Sequence, residues 1–66
     1  MAAIAKVITQ EILGDETKLS MEDIGVALNF FGKKHTSKRL IQILSCLKDS
    51  DILDFDPKTN TYQRAV

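Results

Sequence analysis

Five basic side chains stand close together in the middle of this 66-residue chain, in a stretch that contains no acidic residue. Four of them are lysine or arginine, and the fifth is the only histidine of the chain. Cations grouped in this way suit the phosphates of a nucleic acid, because each neutralised phosphate releases counterions into solution. The basic segment, as residues 33–39 are called below, contributes Lys33, Lys34, His35, Lys38 and Arg39.

The simpler interpretation is that the basic segment is only the solvent-exposed beginning of a helix and binds no partner. Cations at a helix N-terminus oppose the macrodipole by about 0.3–1 kcal/mol each, so stability alone does not favour them there. Against a nucleic-acid partner stands the overall balance, which is nine Lys plus Arg and nine Asp plus Glu. The resulting pI near 6.5 is lower than that expected of a DNA-binding domain.

Catalytic and metal chemistry find little support in the residue types. His35 has no acidic neighbour in sequence and fits a turn residue or a phosphate contact better than a catalytic base. Cys46 is the only cysteine, so an internal disulfide is excluded, and with His35 it leaves a structural zinc site two ligands short. The acids of residues 49–56 lack the central Gly and the terminal Glu of a calcium loop. We therefore predict no enzyme and no cofactor.

Length and composition predict one small domain over residues 1–66 with a thin core. No apolar run approaches the roughly 20 residues that cross a bilayer, and no signal peptide is recognisable. Together with the lack of disulfides, this predicts an intracellular protein of the cytoplasm, nucleoid or nucleus, without a membrane partner.

Apolar spacing predicts two amphipathic helices before the basic segment. The first covers residues 2–13 and ends at Gly14, where a positive φ is expected. The second begins at Ser20, which forms a capping box with Asp23, and ends near residue 29. Gly25 inside it permits close approach of another helix. The apolar stripe of the first helix is Ile4, Ile8 and Ile12.

A third helix over residues 37–49 is the longest and clearest, with Thr36 or Ser37 as its cap. Cys46 on the flank of this helix is expected to be a half-buried small hydrophobic residue. Phe30 and Phe31, which precede the helix, are expected to fill the core at the helix corner, with at least one of them buried. Its inner side is predicted to carry Leu40, Ile43, Leu44 and Leu47. Its outer side is predicted to carry Lys38, Gln42, Ser45 and Asp49.

The remainder of the chain predicts a β-hairpin. Leu53 and Phe55 alternate with aspartates, residues 56–60 form a Pro/Asn turn, and residues 61–66 return with Tyr62 as the apolar anchor.

Three helices followed by a hairpin resemble a winged helix-turn-helix domain. The resemblance covers nearly the whole chain and is most specific in residues 37–62, where the sequence reads SKRLIQILSCLKDS, then DILDFD, a Pro/Asn turn and TYQ. It implies an α+β, mainly α fold: a three-helix winged helix-turn-helix with a C-terminal β-hairpin wing. It also implies a very short strand beside the wing, for which Leu19 with Thr17 and Lys18 is the candidate. The connection over residues 29–36 is longer than the usual three or four residues. Either the second helix extends through Phe30 and Phe31, or the turn is expanded.

The resemblance further implies a DNA-binding module, a small transcription regulator whose third helix enters the major groove of double-stranded DNA. Lysines would contact phosphates, and Gln42 and Ser45 would reach base edges. One module offers limited contact area, so a homodimer or a larger parent chain is expected, with the first helix as the candidate dimer element. The predicted DNA-binding residues are Lys33, Lys34, His35, Ser37, Lys38, Arg39, Gln42, Ser45 and Lys58.

The alternative is a winged helix that binds another protein in a multi-subunit assembly. Asp54 and Asp56 flank the wing and are offset only by Lys58 and Arg64, so the wing would be repelled by DNA and would suit a basic partner. Exposed apolar residues, Ile41 with Phe30 or Phe31, would form the contact patch.

Overall fold

Helical segments and then a β-hairpin follow one another in the computed structural model, which describes residues 2–14 and 16–65. The chain is mixed α+β and mainly helical, as predicted. The elements are α1 (Ala2–Val7), a π-helical segment (Ile8–Ile12), α2 (Met21–Phe30), α3 (Ser37–Asp49), β1 (Leu53–Asp56) and β2 (Thr61–Arg64).

The first helical segment does not stay α-helical to its end. The Leu13 N–H donates to the Ile8 carbonyl at 2.9 Å, which is a bond between residues five apart. In an unbroken α-helix Leu13 would point about 140° away from Ile8. The wider turn instead lets both enter the core, where Ile8 is 0% and Leu13 1% exposed.

The expected glycine stop after this segment is also wrong. Gly14 does not have a positive φ. The helix ends one residue earlier, because Leu13 is extended (φ −94°, ψ 107°).

Helix α2 begins at the predicted cap and ends beyond the predicted residue. The Asp23 N–H donates to Ser20 Oγ at 3.1 Å, which confirms the cap. The helix extends through Phe30 but not through Phe31, and residues 31–36 still form a connection longer than three or four residues, so the turn is expanded. Gly32 ends α2 with φ 73°, and the Lys33 N–H donates to the Leu28 carbonyl at 2.8 Å. A glycine is favoured here because a Cβ strains this left-handed conformation.

The two phenylalanines do not plug the core. Phe30 is 86% and Phe31 43% exposed, and their rings meet edge to face at 5.7 Å. Helix α2 buries Ile24 and Leu28. Phe30 lies about 200° around the helix from Leu28, and therefore on the outer side.

Helix α3 follows the predicted pattern. Thr36 is the cap, since its Oγ1 accepts the Arg39 N–H at 3.1 Å. Cys46 is exposed rather than half-buried. Cys46 lies about 110° around the helix from the middle of the buried stripe, so the elements that pack on the stripe do not cover its side chain. The buried residues of α3 are Leu40, Ile43, Leu44 and Leu47.

The hairpin has the predicted turn and one additional neighbour. β1 and β2 pair antiparallel with Phe55 opposite Tyr62, whose rings lie 4.9 Å apart. Leu19 and Tyr62 exchange two backbone hydrogen bonds of 3.0 and 2.7 Å, which form a one-residue antiparallel bridge where a very short strand was expected. From the hairpin, the Leu53 side chain packs into the core and is 1% exposed.

Nine aliphatic side chains from every part of the chain form the core, and no buried polar side chain accompanies them in the described residues. Because the core is small, the conformation of the helix ends is expected to matter for the free energy of unfolding. The core comprises Ile8, Leu13, Ile24, Leu28, Leu40, Ile43, Leu44, Leu47 and Leu53.

Asp51 stores backbone strain at the end of α3. Its φ is 61°, and the Ile52 N–H donates to the Leu47 carbonyl at 2.9 Å, which repeats the helix end that Gly32 forms in α2. A left-handed conformation costs a residue with a Cβ about 1–2 kcal/mol. We expect Asp51→Gly to raise the free energy of unfolding by about 1 kcal/mol, measured by urea denaturation.

The control is Asp51→Ala, which removes the same negative charge from the helix C-terminus but keeps a Cβ. No comparable gain is expected from it. Equal stabilisation by both variants would mean that the charge near the helix dipole, and not the backbone conformation, limits stability at this position.

Candidate functional site

The basic segment lies in the loop after α2 and in the first turn of α3. Lys34 and Lys38 are exposed, whereas Lys33, His35 and Arg39 are half-buried. The first turn of α3 contains no acidic residue. The loop and the helix start therefore gather all five basic residues at one end of α3, as the sequence suggests.

The cations of the basic segment are not paired with acids in the described part of the chain. Among residues 2–14 and 16–65, none of its lysines or arginines forms an ion pair. The salt bridge that the structure contains elsewhere joins Lys18 Nζ to Asp56 Oδ2 at 3.9 Å. The positive charge of the segment is thus available to a partner.

His35 fixes the loop rather than projecting from it. Its Nδ1 lies 3.1 Å from the Lys33 carbonyl oxygen, which can only accept, so Nδ1 carries the proton. The other side of the ring lies against α2, where a Cβ placed on Gly25 would be 3.4 Å from His35 Nε2 and 3.4 Å from Leu40 Cδ2. Gly25 thus permits the close approach that its position in the sequence suggests, to a histidine and a leucine.

Two shallow depressions lie on either side of His35. One lies between α2 and the start of α3 and is lined by Val26, Asn29 and Ser37, together with Glu22. The other is open and is lined by residues 34–36 and Arg39. Glu22 disfavours phosphates at its end of α2, and Glu11 lines a further depression with Lys33.

A polar stripe continues from the basic segment along α3. Lys38, Gln42 and Ser45 are exposed and lie on one face, opposite the buried leucines. At 1.5 Å per residue the stripe is about 10 Å long. Gln42 and Ser45 have no side-chain hydrogen-bond partner within the described part of the chain, so their polar groups can bind another molecule.

The wing carries one predicted contact residue, Lys58, exposed in the turn between the strands. Its backbone N–H donates to Asp56 Oδ1 at 2.9 Å. Asp56 also accepts the Lys18 salt bridge, which offsets part of the negative charge expected of the wing. The sequence did not predict this pairing, because Lys18 and Asp56 lie far apart along the chain. Asp54 remains exposed.

The first helical segment uses its apolar stripe internally. Ile4 and Ile12 are partly buried against the core, and Ile8 is fully buried. A dimer through this segment stays a prediction, and it would use the exposed residues Ala3, Lys6, Gln10 and Glu11.

Metal-binding and membrane-spanning features were searched for in residues 2–14 and 16–65. No three His, Cys, Asp or Glu side chains lie together in a way that could hold a metal ion. None of the helices is both long and apolar enough to cross a membrane.

Comparison with known proteins gives no family model, no curated protein and no solved structure that matches this chain.

The contact between His35 and Gly25 is testable, because the only histidine gives one unambiguous set of ring signals in an NMR spectrum. A Cβ at 3.4 Å is in ordinary contact, so Gly25→Ala should be tolerated and should gain up to about 1 kcal/mol of helix propensity. Gly25→Val adds methyl groups against His35 and Leu40. We expect it to destabilise by about 1–3 kcal/mol and to shift the His35 ring signals.

Denaturation in urea and proton NMR measure both effects, with Gly25→Ala as the matched control. Unchanged ring signals in a folded Gly25→Val variant would contradict the placement of His35 against α2.

Proposed function

We propose that this chain is a winged helix-turn-helix DNA-binding module, a small transcription regulator that places α3 in the major groove of double-stranded DNA. The observation that carries the proposal is the group of unpaired cations at the start of α3, continuous with the exposed polar stripe of the same helix. Phosphate contacts fix the position of a protein on DNA and base contacts give it specificity, and this surface offers groups of both kinds.

The order of elements supports the winged-helix part of the proposal. A short strand at Leu19 follows the first helical segment, α2 and α3 come next, and two strands complete the chain. Leu19 pairs with β2, and β2 pairs with β1. β1 also packs against α3, and this neighbourhood of hairpin and helix supports a wing.

The residues of α3 divide into two roles in this proposal. Lys34 and Lys38 contact phosphates, with Lys33, Arg39 and the Ser37 hydroxyl beside them. The Gln42 amide suits adenine, which offers one donor and one acceptor in the major groove, and the Ser45 hydroxyl suits either kind of group. His35 positions the loop, and Lys58 supplies a phosphate contact from the wing.

The size of the chain bears on its oligomeric state. Its described surface measures 4626 Å². A single DNA-binding module buries roughly 600–1,000 Å², which is about an eighth to a fifth of that surface. A homodimer would double this contact and is part of the proposal.

Charge reversal at the two ends of α3 tests the proposal. Lys38→Glu removes a phosphate contact, whereas Lys48→Glu makes the same change of net charge in the last turn. We expect Lys38→Glu to weaken binding of a short mixed-sequence duplex at least about tenfold at ~50 mM salt, and to reduce the slope of log K against log salt by about one. Lys48→Glu should change affinity less than about threefold.

Fluorescence anisotropy measures the affinities, and thermal denaturation controls for folding. Lys38→Glu places an acid at a helix N-terminus, so its Tm should not fall, and loss of binding cannot then be attributed to unfolding. Equal weakening by both variants, or no salt-sensitive binding by the parent chain up to about 100 μM, would contradict the proposal.

A second candidate function is binding of a protein partner, favoured by apolar residues on the surface. Ile41 is 50% and Ile52 45% exposed, in addition to Val26 at 65%. The exposed Asp54 on the wing suits a basic partner. Exposed apolar residues mark an interaction site where they lie together in one patch.

A basic peptide titrated by anisotropy separates the two functions. The protein-binding alternative expects its binding to be lost in Asp54→Lys and retained in the double variant Lys34→Glu, Lys38→Glu. The DNA-binding proposal expects that same double variant to abolish duplex binding. Peptide binding that does not respond to Asp54→Lys would exclude the wing as the interface.

A further inference from the structure

The C-terminal end of α2 presents an aromatic ring that the core does not use. Phe30 is 86% exposed, the highest value among the large hydrophobic side chains described. A phenylalanine in this position contributes little to the free energy of folding, because its ring stays in water. The residues around the ring therefore indicate which kind of ligand could cover it.

The ring of Phe30 is held in place but is not covered. Phe31 meets it edge to face, with the ring planes at 90° and the centroids 5.7 Å apart. Such a contact covers at most one face of the ring, so at least one face remains open. The Gly32 N–H donates to the Asn29 carbonyl at 3.0 Å, and together with the Lys33 bond it fixes the end of the helix that carries the ring.

The basic segment begins three residues after this ring. Lys33 and Lys34 lie within about 14 Å of Phe30 along the chain at most, and neither is paired with an acid in the described residues. Asn29, the residue before Phe30, lines a depression together with Val26, His35 and Ser37. The ring of Phe30 is thus next in sequence to a residue that borders the start of α3.

An open aromatic ring beside unpaired cations is the combination that binds single-stranded nucleic acid. Bases stack on the ring whatever their sequence, and the cations follow the phosphates. Glu22 and Asp23 lie at the opposite end of α2, so a strand that leaves Phe30 is directed towards the basic segment and not along α2.

We propose that Phe30 is a stacking platform for an unpaired base, and that the preferred ligand is duplex DNA with a single-stranded extension. This inference rests on the proposed function, because the basic segment supplies the phosphate contacts to both parts of the ligand. Stacking of one base on an aromatic side chain strengthens binding by roughly 5- to 150-fold.

The experiment compares three ligands by anisotropy at ~50 mM salt: a blunt duplex, the same duplex with a short single-stranded extension, and the single strand alone. The parent chain should bind the extended duplex at least about fivefold more tightly than the blunt one. Phe30→Ala should abolish this preference and leave affinity for the blunt duplex within about twofold.

Three further variants identify the interaction. Phe30→Tyr keeps an aromatic face and should keep the preference, whereas Phe30→Leu keeps apolarity alone and should lose it. Val26→Ala, a matched change at an exposed apolar residue one turn away, should have no effect on the preference. Circular dichroism of each variant checks the fold. No change is expected, because a side chain this exposed contributes little to stability.

The outcomes separate this inference from the function on which it rests. Equal affinity of the parent chain for blunt and extended duplexes, or an equal loss for both in Phe30→Ala, overturns the platform and leaves the DNA-binding proposal standing. Absence of salt-sensitive binding to all three ligands overturns both. If Phe30→Ala instead turns a dimer into a monomer in analytical ultracentrifugation without changing ligand preference, the ring belongs to an interface between copies.

Discussion

Burial of one side of α3 is the interaction on which the rest of this structure depends. Four aliphatic side chains of the helix enter the core, and Leu44 is fully buried. Once this side is buried, rotation about the helix axis is fixed. Lys38, Gln42 and Ser45 must then face outward, because they occupy the opposite side of a 3.6-residue period. The candidate DNA-binding stripe is thus a direct consequence of core packing.

The loop that carries the cations is shaped by groups other than the cations. Gly32 turns the chain at the end of α2, Thr36 caps α3, and His35 packs against Gly25. Since none of these contacts uses a lysine or arginine charge, the charges stay available to a partner. A chain with no net charge can in this way present a strongly positive surface locally, provided that its acids lie on other elements.

Features that depend on neighbouring residues followed from the sequence. The inner stripe of α3, the caps at Ser20 and Thr36, and the turn of the hairpin each rest on a fixed spacing or on a bond between residues three apart. The clustering of the basic segment was predictable for the same reason. The bridge at Leu19 was expected only from the resemblance to winged helices, because its pairing with Tyr62 joins distant parts of the chain.

Only the tertiary structure decided what the core accepts. Phe30 and Cys46 have the hydrophobicity of core residues, but the core is filled by aliphatic side chains that face one another, and both residues lie on sides of their helices that nothing covers. The π-helical turn forms because Leu13 has to reach the same core as Ile8. Sequence spacing determines which residues share a face, whereas the number of faces that a small core can cover is a property of the assembled fold.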